Sequence, residues 1–406
     1  MMSRHCATPC TMFTSGFLSK PYTVHLEKLL SNGCSLAHVD GMAVFIPYGI
    51  PGEEVQIEIT ESKKGYLMGR ITGISSASPD RVLPPCRLFG RCGGCTLQHI
   101  LYSRQLELKS QMLTEALERT GHIAEADIAS LAIKVHPGSP YGYRVRVQLH
   151  PAQDGSAGFM ARTSSTVLSA SSCDTCCPGI NRLLAGFGAE KSAAKSTFTL
   201  NERTTFFAPD GQQVYSAADG NKTLDIEIKG KRLKASAQCF FQSNRSMFEH
   251  MLTVLDGMVT GGGTWLDLYS GIGVPGIFFQ DRFDELIFVE ESPVSARYGA
   301  LNTQPYANCR FFNMSCEDWT KSKRRCRNAD TVFADPPRTG LSPAVKQYLL
   351  KLKAKKLYYL SCNFVTLARD LGDLVRGGYR IESFDLFDFY PQTADMECLV
   401  GVSYGT

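Results

Sequence analysis

Residues 264–276 read Thr-Trp-Leu-Asp-Leu-Tyr-Ser-Gly-Ile-Gly-Val-Pro-Gly. The first five are mostly apolar, as a short strand buried in a parallel sheet requires. Gly271 and Gly273 then allow a ligand close to the backbone, and Pro275 suits the opening turn of a helix. Strand, glycine turn and helix together predict a βα unit of a doubly wound α/β domain. On either side, strand-like runs recur at Glu285–Glu290, Thr331–Ala334, Lys356–Ser361, Arg380–Phe387 and Glu397–Ser403, alternating with helix-like segments. The domain is expected to span residues 240–406.

Side chains at the ends of these strands carry the chemistry. Glu290 lies nineteen residues after Gly271 and closes its strand, where a carboxylate is placed to accept hydrogen bonds from ribose hydroxyls. Asp335 ends the next strand, and Pro336-Pro337 makes a rigid loop that holds it over the carboxyl edge of the sheet. Cys362 follows the strand Lys356–Ser361 and precedes a helix expected at Val365–Val375. That makes it a candidate nucleophile whose pKa the helix N-terminus is expected to lower. Glu397 enters the apolar strand Met396-Glu397-Cys398-Leu399-Val400, an unusual place for a carboxylate without a specific role.

The rest of the chain divides into an extension, residues 1–20, a small β-barrel, residues 21–80, and a mixed α+β region, residues 81–239. The barrel reads from short strands at Tyr22–Leu29, Met42–Ile46, Glu54–Thr60 and Lys64–Ile74, punctuated by Asn32-Gly33, Asp40-Gly41 and Pro51-Gly52. Its architecture is expected to be OB-like. The barrel segment holds 4 Lys+Arg against 7 Asp+Glu, and the middle region 19 against 13, so phosphate contacts are expected in the middle. There Tyr143, Arg144, Arg146 and Gln148 suggest a basic sheet face for RNA.

No run reaches the ~18 apolar residues that a membrane-spanning helix needs. The first twenty residues have no continuous apolar core, so a secretory signal is not expected and the cytoplasm is the expected compartment. Fifteen cysteines, an odd number, then argue for metal binding or catalysis over a disulfide framework. Cys86, Cys92 and Cys95 form one cluster and Cys173, Cys176 and Cys177 another. The pairs 92/95 and 173/176 would also suit a four-thiolate zinc site.

In order along the chain, Phe240-Phe241-Gln242-Ser243-Asn244, the Leu266–Gly273 loop, Asp335-Pro336-Pro337-Arg338, Ser361-Cys362-Asn363 and Met396-Glu397 resemble the uracil-C5 RNA methyltransferases. The spacing Cys86-x5-Cys92-Gly93-Gly94-Cys95 resembles the iron–sulfur, ribosomal-RNA branch of that family, and residues 21–80 resemble its TRAM domain. The resemblance implies a class I, Rossmann-like methyltransferase domain that uses S-adenosylmethionine, with a 4Fe–4S cluster in the central domain. It implies Cys362 as the nucleophile that adds to uracil C6 and Glu397 as the base that removes the C5 proton. Gln242, Tyr269, Glu290 and Asp335 match positions that contact the cofactor or the target base. Cys86, Cys92 and Cys95 match cluster ligands, with Cys177, next to Pro178, as the fourth and Cys173 or Cys176 as alternatives. Tyr269 stands where relatives have Phe, and Val274 where they often have a polar residue.

The expected product is 5-methyluridine in large-subunit ribosomal RNA, with transfer RNA as the alternative substrate. The protein is expected to act as a monomer without membrane association. A non-catalytic RNA-binding protein would have no need of Cys362 and Glu397. An amino-group methyltransferase would follow Asp-Pro-Pro with an aromatic residue, and here Arg338 follows.

Overall fold

The computed structural model describes residues 20–187, 200–220 and 222–405. All of the expected extension except Lys20 lies outside the described residues.

Six strands, Tyr22–His25, Lys28–Leu29, Cys34–Val39, Met42–Pro47, Glu54–Lys63 and Tyr66–Ser76, form one sheet around an apolar core. In Glu54–Lys63, Val55, Ile57 and Ile59 point in, whereas Glu54, Gln56 and Glu58 point out. That alternation made the strand readable. Cys34–Val39 carries no apolar alternation in sequence, because Ser35 and Ala37 take inward positions while Leu36 is only partly buried.

The α/β domain carries seven strands: β1 Thr264–Leu268, β2 Glu285–Glu290, β3 Cys309–Asn313, β4 Thr331–Ala334, β5 Lys356–Ser361, β6 Tyr379–Phe387 and β7 Glu397–Tyr404. They lie in the order β3-β2-β1-β4-β5-β7-β6. β1 to β5 are parallel, and β7 is inserted antiparallel between β5 and β6. Strand order reverses between β1 and β4, and doubly wound sheets bind ligands at such a switch point. β3 was missed in the sequence. It is an edge strand with no fully buried residue, so it lacks the apolar run of its neighbours.

The middle region is built onto this domain. Strand Lys134–His136 pairs with β6 and extends the catalytic sheet. Helix Tyr102–Arg119 buries Leu108, Leu113 and Leu117 in one core with Leu367, Leu371 and Leu374 of helix Phe364–Arg376. The two segments meet at glycines: a Cβ on Gly372 would lie 2.1 Å from the carbonyl oxygen of Gly121, just past the first helix. Arg146–Pro151 is the central strand of a separate five-stranded sheet.

Candidate active site

A crevice opens between β1 and β4, at the switch point of the sheet. Gln242, Tyr269, Ser270, Gly271 and Asp335 line it, with Phe240 exposed at its edge. The turn after β1 is tight. Tyr269, Gly271 and Gly273 take φ values of +60°, +57° and +88°, so a non-glycine residue is held in the left-handed region beside the crevice. Glu290 does not line the cavity. Its two carboxylate oxygens accept hydrogen bonds from Gly271 N at 2.9 Å and Ser292 N at 2.7 Å, fixing the turn. The buried Gln242 Oε1 and Ser270 Oγ find no hydrogen-bond partner among the described residues. Such atoms are costly unless a ligand satisfies them.

Negative groups crowd this crevice. Asp267, under the turn, accepts from Gly276 N at 3.1 Å, and burial pushes its pKa up to about 8. Burial and the neighbouring Glu290 push Asp335 up to about 7.

Cys362 and Glu397 lie close together: Ser361, the last residue of β5, pairs with Cys398 of β7, so both residues adjoin the end of that ladder, and the Glu397 carboxyl bears on the thiol. Glu397 is buried, and its Oε2 finds no partner among the described residues. Burial first, then Asp335 and Asp395, raises its pKa well above the usual carboxylate range. Cys362 is half-buried, and burial together with Glu397 and Asp335 pushes its thiol up to about 12. The lowering expected from the helix N-terminus does not prevail. Asn363 caps that helix, accepting from Val365 N at 3.1 Å, but desolvation and two carboxyl neighbours outweigh it.

Sequence reasoning gave several neighbouring residues no part in the chemistry. Arg338 pairs with Asp395, and its positive charge favours the ionised forms of both Cys362 and Glu397. Asn363 Nδ2 and Thr366 Oγ1 hold the Arg338 carbonyl at 2.9 and 3.1 Å. Tyr390 lies beside Glu397 and favours its ionised form. Only the Arg beside Asp-Pro-Pro could have been found as a local signal.

A second cavity is lined by Cys86, Cys92, Cys95, Cys173 and Cys176, with Arg144. Cys177 does not line it. It sits in the apolar core at the start of helix Pro178–Phe187, close to Asp210, because consecutive residues entering a helix cannot both face one cavity. Among the described residues, no three His, Cys, Asp or Glu groups crowd a single point able to hold one ion. The thiols ring a space instead. Burial pushes Cys95 up to about 12, whereas a hydrogen bond from Cys176 draws Cys173 down to about 6.

The expected RNA face at Arg144 and Arg146 is not a free basic surface. Arg144 turns into the cysteine cavity, and Arg146 donates to the Ala237 carbonyl at 2.8 Å beneath Phe207.

Comparison with known proteins identifies the arrangement. A family model described as tRNA (uracil-5-)-methyltransferase matches residues 211–404, and a TRAM domain model matches residues 20–72. An uncharacterized RNA methyltransferase of Treponema denticola is 32% identical over 403 residues, covering 93% of this chain and 97% of that protein. The 23S rRNA (uracil(1939)-C(5))-methyltransferase of Shewanella amazonensis is 27% identical over 427 residues, covering 94% and 95%. In fold, the chain resembles the tRNA (uracil-54, C5)-methyltransferase of Pyrococcus abyssi, solved with S-adenosyl-L-homocysteine. The TM-score is 0.71 at 21% identity, over 94% of this chain and 100% of that one. With near full-length relatives and a catalytic-domain model in agreement, the chain belongs to the RNA (uracil-C5)-methyltransferase family and is an enzyme.

Proposed function

We propose that this enzyme converts a uridine of large-subunit ribosomal RNA to 5-methyluridine, through a covalent bond between Cys362 and uracil C6. The observation that carries this reading is the meeting of Cys362, at the end of β5, with Glu397, at the start of β7, beside the crevice holding Asp335. The crevice suits S-adenosylmethionine: its unpartnered Gln242 Oε1 and Ser270 Oγ can bind a polar ligand, and its carboxyl groups favour a cation. When bound, S-adenosylmethionine supplies the electrophilic methyl that C5 takes up.

The chain's own residues do the rest. Uracil C5 is a poor nucleophile. As Cys362 adds to C6, the C5=C6 electron pair moves into the ring as an enolate and makes C5 nucleophilic. Before RNA arrives the Cys362 thiol is protonated; its proton must pass to solvent before the S–C6 bond forms, and Arg338 is the neighbouring cation that favours this ionisation. After methylation, Glu397 takes the C5 proton. The C5–H pair re-forms C5=C6, the C6–S bond breaks, and the thiolate is released. A burial-raised pKa makes Glu397, once ionised, a stronger base than an exposed carboxylate. The target base must be flipped out of any helix to reach Cys362.

The choice of ribosomal RNA is supported by the Shewanella relative's name and its coverage of the chain. The enzyme is proposed to work as a monomer in the cytoplasm. We also propose that Cys86, Cys92, Cys95 and Cys173 hold a 4Fe–4S cluster, with Cys176 beside it. Thiols around a cavity suit a multi-iron cluster better than a zinc ion, whose four sulfurs converge to about 2.3 Å from one point.

Two variants test the chemistry. Cys362→Ala should form no adduct and lose at least about 10⁴-fold in rate. Glu397→Gln should methylate once and stall with RNA attached, seen as a mobility shift that survives denaturation. Normal turnover by Cys362→Ala would overturn the mechanism. Efficient 5-methyluridine formation in transfer RNA, with none in ribosomal RNA, would overturn the substrate alone.

A further inference from the structure

The loop from Asp388 to Met396 joins β6 to β7 and delivers Glu397 to the site. We infer that Lys109, on helix Tyr102–Arg119 of the middle region, is a positioning residue for removal of the C5 proton. The inference rests on Glu397 being the base. Lys109 is fully buried. Its Nζ donates to Asp388 Oδ1 at 2.6 Å, to the Tyr390 carbonyl at 3.2 Å and to the Asp395 carbonyl at 2.8 Å. An ammonium has three N–H donors. All three are spent on this one loop.

The two carbonyls are informative. Tyr390 and Asp395 both act on the ionisation of Glu397, and Asp395 also pairs with Arg338. Lys109 therefore grips the backbone of the two residues that set the surroundings of the carboxylate. Further bonds from the middle region act in the same direction. Tyr102 OH donates to Asp388 Oδ2 at 2.9 Å. Gln105 exchanges two hydrogen bonds with Gln392, which is held at a φ of +70°. Thr96 N and Leu97 N, directly after Cys95, donate to the Gln392 carbonyl at 2.9 and 3.0 Å.

A buried ion pair is a poor way to gain stability, because well-packed apolar residues of similar volume often do as well or better. What it supplies here is direction. A charged group with three fixed donors locks a loop that apolar packing would leave free to slide, and misplacement by about 1 Å can cost on the order of 100-fold in rate.

The test separates positioning from folding. Lys109→Met combined with Asp388→Asn removes both charges together, so neither is left buried alone. This variant should bind S-adenosylhomocysteine as the unaltered enzyme does and should form the covalent RNA adduct. Its steady-state methylation should fall about ten-fold or more, with methylated, denaturation-stable adduct accumulating as in Glu397→Gln. Tyr102→Phe, the milder change, removes one donor to Asp388 without leaving a charge unpaired, keeps the protein testable if the double variant does not fold, and should show the same adduct at lower yield. Unaltered turnover, or slow turnover without accumulated adduct, in a folded variant would overturn the inference. If Glu397→Gln accumulates no adduct either, the assignment of the base fails instead.

Discussion

The crevice at the carboxyl edge of the catalytic sheet gathers Asp267 and Asp335, with Glu397 beside it, and the cavity of the middle region gathers Cys86, Cys92, Cys95 and Cys173. In both, burial makes negative charge expensive. It raises the three carboxyl groups in one place and Cys86, Cys92 and Cys95 in the other. Each therefore favours a positive ligand, a sulfonium in the first and a metal cluster in the second. Their assembly differs. The crevice is made from strand ends of one repeating βα pattern. The cavity is made from segments some eighty residues apart, with Arg144 between them. A site at regular strand ends can be located by its motifs, whereas a site where loops converge is decided by which side chain faces inward.

The sharpest way to break this comparison is at the fourth thiol. Cys173→Ser should take anaerobically purified protein from about four irons per chain to nearly none. Cys177→Ser should leave the iron in place, because Cys177 packs in the apolar core. Iron analysis and visible absorption read the difference. Loss with Cys177→Ser alone would restore the sequence assignment, and stoichiometric zinc in iron-replete, anaerobic preparations would replace the cluster.

The same contrast explains what was legible. Six of the seven catalytic strands, together with Gln242, Tyr269, Asp335, Cys362 and Glu397, could be read because each lies on or beside a contiguous apolar run or motif. β3 could not, since an edge strand with half-buried residues carries no such run. Arg144 and Arg146 read as an RNA face because strand alternation says which residues share a face, not what covers that face. Lys109 gave no signal at all. A lysine in a charged helical pattern looks solvated until the loop it grips, some 280 residues later, is folded against it. The raised thiol of Cys362 was hidden for the same reason, since Glu397 and Asp335 reach it through the tertiary fold.

The carboxyl half of the comparison can be sharpened by pH. The folded state holds the Asp267 proton up to about pH 8, whereas an unfolded chain releases it near pH 4. Its contribution to stability is therefore fully present below about pH 4 and is lost as pH rises towards 8. Asp267→Asn keeps an oxygen to accept from Gly276 N and removes the titration. The variant should match the unaltered protein near pH 4 and exceed it at pH 8 by on the order of 2–5 kcal/mol. Ligand-free denaturation curves at the two values check this, and equal offsets would show that Asp267 is not held protonated.

The smallest expected effect concerns the ligand itself. S-adenosylmethionine and S-adenosylhomocysteine differ by one methyl group and one positive charge, so their affinity ratio cancels every contact they share. Asp335 lines the crevice and loses its proton near pH 7 in the free protein. Opposite unit charges in one pocket attract by about 1–2 kcal/mol at an effective dielectric near 20. Only the cationic ligand gains this when Asp335 ionises. The preference for S-adenosylmethionine should therefore rise by up to about ten-fold between pH 6 and pH 8. Asp335→Asn should flatten the rise, although Asp267 would leave a smaller slope. Calorimetric titration of both ligands across that range measures the ratio directly. A ratio independent of pH in the unaltered protein would mean that the carboxyl groups of the crevice do not sense the sulfonium, and the electrostatic parallel with the cysteine cavity would fail on the catalytic side.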